Sequence, residues 1–154
     1  MKNYPRIYSL STLGLIHHYE NDYLFHNMRT DFVGDSGSGK SIIADLLQLI
    51  FVGSEMFESA TRTMDEKREL DGLVLRTPHK GIDIGYAFLN IEIQSRHYIV
   101  IGCYLESNSK RTKPFIIQGS SDPKANLLPI GQPLQNKDFK REGNICPLDD
   151  LLSQ

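Results

Sequence analysis

Hydrophobic positions along the chain fall into two rhythms. RIYSLSTLGL (6–15) is dense in β-formers and predicts a first strand, and HHYENDYLF (17–25) reads as a turn running into a short second strand. In NMRTDFVG (27–34), Met28, Thr30 and Phe32 alternate with Arg29 and Asp31, the two-residue period of a strand with one wet face. The period then changes. In SIIADLLQLIF (41–51), Ile42, Ile43, Leu46, Leu47, Leu49 and Ile50 recur at three- and four-residue spacings, which predicts a helix with a broad buried face, stopped at Gly53.

SATRTMDEKRELDGLVLRT (59–77) is polar and then partly apolar, the pattern of a short helix with an exposed face. IDIGYAFLNIEI and HYIVIGCYLES are rich in β-branched and aromatic residues and are parted by QSR, which predicts a β-hairpin over about 82–107. KRTKPFIIQ (110–118) adds a candidate strand. From 119 to 154, Pro123, Pro129, Pro133 and Pro147 alternate with Gly119, Gly131 and Gly143, so this tail reads as loop-rich. CPLDDLLSQ opens a final helix with Pro147 suited to its first turn, and Gln154 comes one turn into it, so the domain reads as incomplete.

Composition changes this picture little. The 154 residues suffice for one compact domain, with 40% hydrophobic and 23% charged residues and a net charge of −2. A strongly basic nucleic-acid binder is excluded, and any such contact has to come from a local patch. Cys103 and Cys146 form no C-x-x-C pair and read as reduced thiols of a cytoplasmic protein. The N-terminus lacks the apolar core of a signal peptide. The longest apolar run, IIADLLQLIFV, is broken by Asp45 and Gln48 and is too short to span a bilayer.

The chemistry concentrates in FVGDSGSGKS (32–41). Gly34, Gly39, Lys40 and Ser41 stand at the spacing G-x-x-x-x-G-K-S, the P-loop pattern, between a predicted strand and a predicted helix. Glycines let the backbone curl so that its N–H groups face an anion, and the helix that follows adds the positive end of its dipole. Lys40 suits the β- and γ-phosphates of a nucleotide, and the Ser41 hydroxyl suits Mg²⁺. The bland alternative is a glycine-rich turn with a surface lysine.

Hydrolysis also needs a metal-binding acid at the end of an apolar strand and a group that orients water. Glu106, ending IVIGCYLE, is the best imitation, but Ser107 follows it where a second acid is usual. Glu92 fits the polar face of an alternating strand. His17 and His18 are adjacent, so in a strand they point to opposite faces and make a poor metal pair; His26, His79 and His97 stand alone. KRTK (110–113) is a solvated tip or a contact for nucleic-acid phosphates.

With these residues in view, TDFVGDSGSGKSIIADLLQLIF resembles the N-terminal P-loop of SMC-type ATPases, a branch of the ABC-like ATPase heads, and RIYSLSTLGLIHHYENDYLFHNMRTDFVG resembles the strands that precede it. DGLVLRTPHKGIDIGYAFLNIEIQSRHYIVIGCYLES followed by KPFIIQ resembles the MukB-like condensin subgroup. The resemblance covers Arg6 to about Gln118.

It implies an α/β fold: the N-terminal segment, spanning 1–154, of a P-loop ATPase head with a β-hairpin extension. It also implies ATP and Mg²⁺ as cofactors, and Gly34, Asp35, Ser36, Gly37, Ser38, Gly39, Lys40 and Ser41 as binding residues, with Ser41 the metal ligand and no catalytic residue. In such a protein a complementary C-terminal half-head, reached through a coiled coil, and a second head complete the ATPase, and the assembly acts on DNA. The chain shows no L-S-G-G-like signature, no heptad run and no acid pair, and Gln118 does not secure the glutamine role. A self-contained small P-loop kinase or GTPase and a non-catalytic nucleotide-binding module are the other expectations.

Overall fold

The structure, a computed structural model, describes residues 3–26, 29–58, 70–78, 81–118 and 132–153. Its centre is one five-stranded sheet. β1 (Arg6–Leu15) and β2 (His18–Leu24) form a first hairpin; β3 (Ile84–Gln94) and β4 (His97–Glu106) form a second; β5 (Lys113–Gln118) closes the far edge. The order is β2-β1-β3-β4-β5, and every neighbouring pair is antiparallel.

This overturns the α/β P-loop expectation. The parallel sheet of that fold needs a strand entering the glycine loop. Here residues 29–35, which include most of the predicted entry strand, have no strand pairing. Phe32 is half-buried and packs edge-on against Tyr23 and Phe25, with ring centroids 5.5 and 5.9 Å away, while Val33 is 94% exposed. One anchored ring suffices to tie the segment down, and the alternation read there was not a strand. Nor is the predicted hairpin an extension. Its strands supply the sheet's interior, β3 pairing with β1 on one side and β4 on the other.

Both faces of the sheet are covered. On one face lies α1 (Lys40–Val52), whose Ile42, Leu46 and Leu49 pack with Leu15, Ala87, Cys103 and Leu105. Leu73 and Val74 join the same cluster as the chain returns along the end of β1, where Ile16 N donates to Leu73 O at 2.8 Å. Leu70–Leu73 is a short 3-10 turn; the rest of the helix expected from 59 to 69 lies outside the described residues.

On the other face lies the described part of the tail. Phe139 stacks on Phe88 at 4.2 Å and meets Tyr86 at 4.9 Å, and Leu134, Cys146, Leu148 and Leu151 are buried with them. The tail also carries a two-residue ladder, β6 (Lys140–Arg141) with β7 (Asn144–Ile145), and a last helix, α2 (Leu148–Leu152), with Pro147 as its N-cap.

Two features of β1 and β3 make this arrangement possible. Leu13 belongs to the cluster under the tail and Leu15 to the cluster under α1, although residues two apart share a face in a regular strand. Between them Gly14 has φ 73°, a left-handed conformation that reverses the alternation at little steric cost. On β3, Asn90 is fully buried: its Nδ2 donates to Ser9 Oγ and Leu134 O, both at 2.8 Å, and its Oδ1 accepts from Leu134 N at 3.0 Å. One side chain therefore stands in for a missing strand and pins the tail to the sheet.

Asn90→Ala leaves both backbone groups of Leu134 buried without these partners. That costs about 1–3 kcal/mol for each group, and we expect a clear drop in the urea midpoint. An unchanged midpoint would show that the tail is fastened elsewhere.

Candidate phosphate-binding site

The segment from Gly34 to Ser41 curls in front of α1. Gly37 (φ 81°) and Gly39 (φ 89°) are both left-handed, and Gly39 is the N-cap residue of α1, which has no side-chain cap hydrogen bond. The loop closes on itself through Ser38 N to Asp35 O at 3.1 Å. Lys40, the first residue of the helix, turns its ammonium back onto the loop. It donates to Gly34 O, to Asp35 O at 2.7 Å and to Ser38 Oγ at 3.3 Å.

The eight residues singled out in the sequence therefore divide. Ser36, Gly37, Gly39, Lys40 and Ser41 line an open pocket of about 300 Å³, joined by His17 and Ile42. Gly34, Asp35 and Ser38 supply the oxygens that hold the Lys40 ammonium.

The floor of the loop comes from the β1–β2 turn. His18 is buried, its Nε2 lying 2.8 Å from Gly39 O and its Nδ1 2.7 Å from Tyr23 Oη. The Gly39 carbonyl can only accept, so Nε2 carries the proton and Nδ1 accepts from the tyrosine in the neutral ring. The Tyr23 ring in turn packs edge-on against Phe32, so the two ends of the loop, Phe32 and Gly39, are tied to one hairpin. Contact at Gly39 is close enough to demand glycine: a Cβ there would lie 2.8 Å from His17 Cβ and 2.9 Å from His18 Nε2.

The remaining candidates are engaged elsewhere. Glu92 is buried and paired with Arg6, with contacts of 2.6 and 2.7 Å. Glu106 lies 3.7 Å from Lys113 and does not line the pocket. Lys110 and Arg111 are exposed on the β4–β5 connection, and Lys113 sits over the Tyr104 ring at 5.7 Å.

The adjacent histidines do not alternate within one strand: His18 opens β2 and is buried, whereas His17 lies in the turn and is exposed. His97 Nδ1 stays local, 3.0 Å from Ser95 O, and His26 is exposed; His79 lies outside the described residues. Cys103 and Cys146 are both buried and free, and burial pushes the Cys103 thiol from 9.0 up to about 12, so it is no nucleophile at neutral pH. Among the described residues no group of three or more His, Cys, Asp and Glu side chains could hold a metal ion, and no helix is long and apolar enough to cross a membrane.

His17 and His18 are the site residues that the motif does not contain. The only sign of them in the sequence is a tight strand-to-strand turn, IHHY, built without glycine, asparagine or proline. No family model, curated protein or solved structure matches the chain.

The support from His18 is testable by hydrogen exchange. His18→Ala removes the donor to Gly39 O and the acceptor for Tyr23 Oη, and we expect a loss of about 1–3 kcal/mol with faster amide exchange across 36–41. His18→Gln, which keeps an N–H donor, should recover part of both. Loop amides that exchange at the wild-type rate in His18→Ala would remove His18 from the support of the loop.

Proposed function

We propose that Gly34–Ser41 binds the phosphates of ATP together with Mg²⁺, and that the chain is the nucleotide-binding N-terminal segment of an SMC-type ATPase acting on DNA, in chromosome maintenance or in defence against foreign DNA. The observation that carries the nucleotide reading is the convergence at one pocket of a curled glycine loop, the lysine that follows it and the start of a 13-residue helix. Backbone N–H groups in such a curl and the helix dipole favour anionic oxygens. Support comes from the loop and its helix, not from the sheet, which is antiparallel.

Each residue has a role in this reading. The Lys40 ammonium moves from its carbonyl cage to the phosphate oxygens, a charge-assisted contact. Ser41 is half-buried in the first turn of α1 and lines the pocket, so its hydroxyl would be the protein ligand for Mg²⁺. That ion commonly completes its octahedron with phosphate oxygens and waters. When bound, the ion neutralises charge on the phosphates. Gly37, with nothing within 4 Å of where a side chain would start, keeps the loop open to close approach, and Gly39 makes room for the β1–β2 turn.

The SMC-type assignment, and the MukB-like subgroup within it, rest on the sequence resemblance. In that assignment a complementary half-head and a second head supply the metal-binding acid and the group that orients water.

Two measurements test the reading. Lys40→Ala should weaken Mg·ATP binding by about 10- to 150-fold, the equivalent of about 1.5–3 kcal/mol for a hydrogen bond to a charged group, read by calorimetry. Equal affinities would take Lys40 out of the site. In a phosphate-release assay, the chain by itself should turn over far more slowly than the ~1 s⁻¹ of ordinary enzymes. Turnover at or above that rate, abolished by Lys40→Ala, would instead favour a self-contained P-loop enzyme.

A further inference from the structure

The P-loop motif assigns nothing to His17, twenty-odd residues upstream of the lysine, yet this residue stands in the wall of the same pocket as Ser36, Gly37, Lys40 and Ser41. We propose that His17 is a phosphate-binding residue of this site, its imidazole donating an N–H to a non-bridging oxygen of the bound polyphosphate. The inference rests on the reading of Gly34–Ser41 as a nucleotide site.

The backbone gives the first argument. β1 and β2 are joined by Ile16 and His17 alone, with Leu15 opposite His18 across the turn. His17 takes φ 62°, in the left-handed region. Arg96 takes the same conformation, φ 59°, at the corresponding place in the β3–β4 turn, and histidine is among the side chains that visit it most often, so the turn geometry itself accounts for the backbone at His17. The tight turn leaves His17 in the wall of the pocket.

Position gives the second argument. A Cβ built on Gly39 would meet His17 Cβ at 2.8 Å and His17 Cγ at 3.4 Å, so the base of the imidazole rests on the last glycine of the loop. Any anion seated at the start of α1 comes within reach of the ring.

The third argument is a division of labour between the two histidines. Both ring nitrogens of His18 are occupied inside the protein, by Gly39 O and Tyr23 Oη, which leaves that ring no capacity for a ligand. The His17 ring is exposed. Lys40 has to leave Gly34 O, Asp35 O and Ser38 Oγ to reach a phosphate, so a second donor at the pocket would meet the anion before that exchange is complete.

Among the described residues no Phe or Tyr ring lines the pocket.

The test uses the full chain, with inorganic tripolyphosphate and ATP as probes, each with Mg²⁺. His17→Gly removes the ring and relaxes the turn; His17→Arg restores a donor. Calorimetry should show His17→Gly binding both probes about tenfold more weakly, the scale of one charge-assisted contact, with a melting temperature no lower than wild type. His17→Arg should regain most of the affinity. In ¹³C,¹⁵N-histidine-labelled protein, the His17 ring signals, assigned by their absence in His17→Gly, should shift on adding tripolyphosphate.

If wild type binds and His17→Gly binds equally well, the inference falls and the nucleotide site stands. A loss confined to ATP would put the contact on the base or ribose and overturn it. A loss that arrives with a lowered melting temperature and is not regained in His17→Arg would make His17 a turn residue only. If wild type binds neither probe, the nucleotide reading falls and takes this inference with it.

Discussion

Gly39 is where two parts of the molecule meet, and the shape of the loop depends on that contact. Its carbonyl is held by His18, 21 residues away in sequence, and its α-carbon lies so close to the β1–β2 turn that no side chain fits. The conformation of the loop is therefore not a local property of its glycines. It is set by the pairing of β1 with β2, which fixes Leu15 opposite His18 and delivers the ring to the carbonyl. Gly14 stands one step further back: by reversing the side-chain alternation it sends Leu15 under α1, so the helix and the turn that supports its N-terminus are seated by the same short segment.

The sheet works as the middle of three layers. β3 reads GYAFLNI because Ala87 and Leu89 face α1 while Tyr86 and Phe88 face the tail. Two of the polar groups on β3 that this burial strands are met in place. Tyr86 Oη donates to Cys146 O, and the Asn90 amide spans Ser9 and Leu134. Burial drives the Tyr86 phenol well above its ordinary range, so its proton stays on the oxygen and the bond to Cys146 persists across the physiological range. Gly102 on β4 leaves the space that the Phe115 ring fills; a Cβ there would come 2.6 Å from Phe115 Cζ.

This layering also explains what the sequence disclosed. Strand and helix periods were plain wherever one face was wet or a helical stripe was wide. β1 falls at Arg6–Leu15, as read, and α1 at Lys40–Val52 where 41–51 was expected. The β3–β4 hairpin was legible and pairs as read; what stayed hidden was that both hairpins join one antiparallel sheet. Near-continuous apolar runs such as those of β3 and β4 are usual in parallel sheets because both faces are buried there. An antiparallel sheet covered on both faces produces the same runs, and the cover on one face comes from 134–151, which up to the final helix reads as loop because its apolar residues have no period. Residues 29–35 misled for the opposite reason: a short alternation was enough to suggest a strand, but Phe32 is half-buried against the rings of Tyr23 and Phe25 and not by a neighbouring strand. His17 carried little readable signal beyond a turn built without the usual turn residues, since its place in the pocket follows from how that turn packs on the glycine loop.

The two walls of the pocket differ in how easily they can change. The contacts between His18 and Gly39 are buried, so breaking them leaves polar groups without water to replace the partner, and that wall stays put. The contacts of Lys40 with Gly34, Asp35 and Ser38 are exposed, so water substitutes for each oxygen as the ammonium leaves, and the exchange is cheap. In the proposed nucleotide reading, a buried backbone floor with an exposed cation above it suits capture of an anion: the floor would keep its surface on binding, and the charge would move to the ligand. Glycine at 39 and histidine at 18 make the floor: a side chain at 39 would collide with His17 and His18, and loss of the His18 ring would leave the Gly39 carbonyl without its donor.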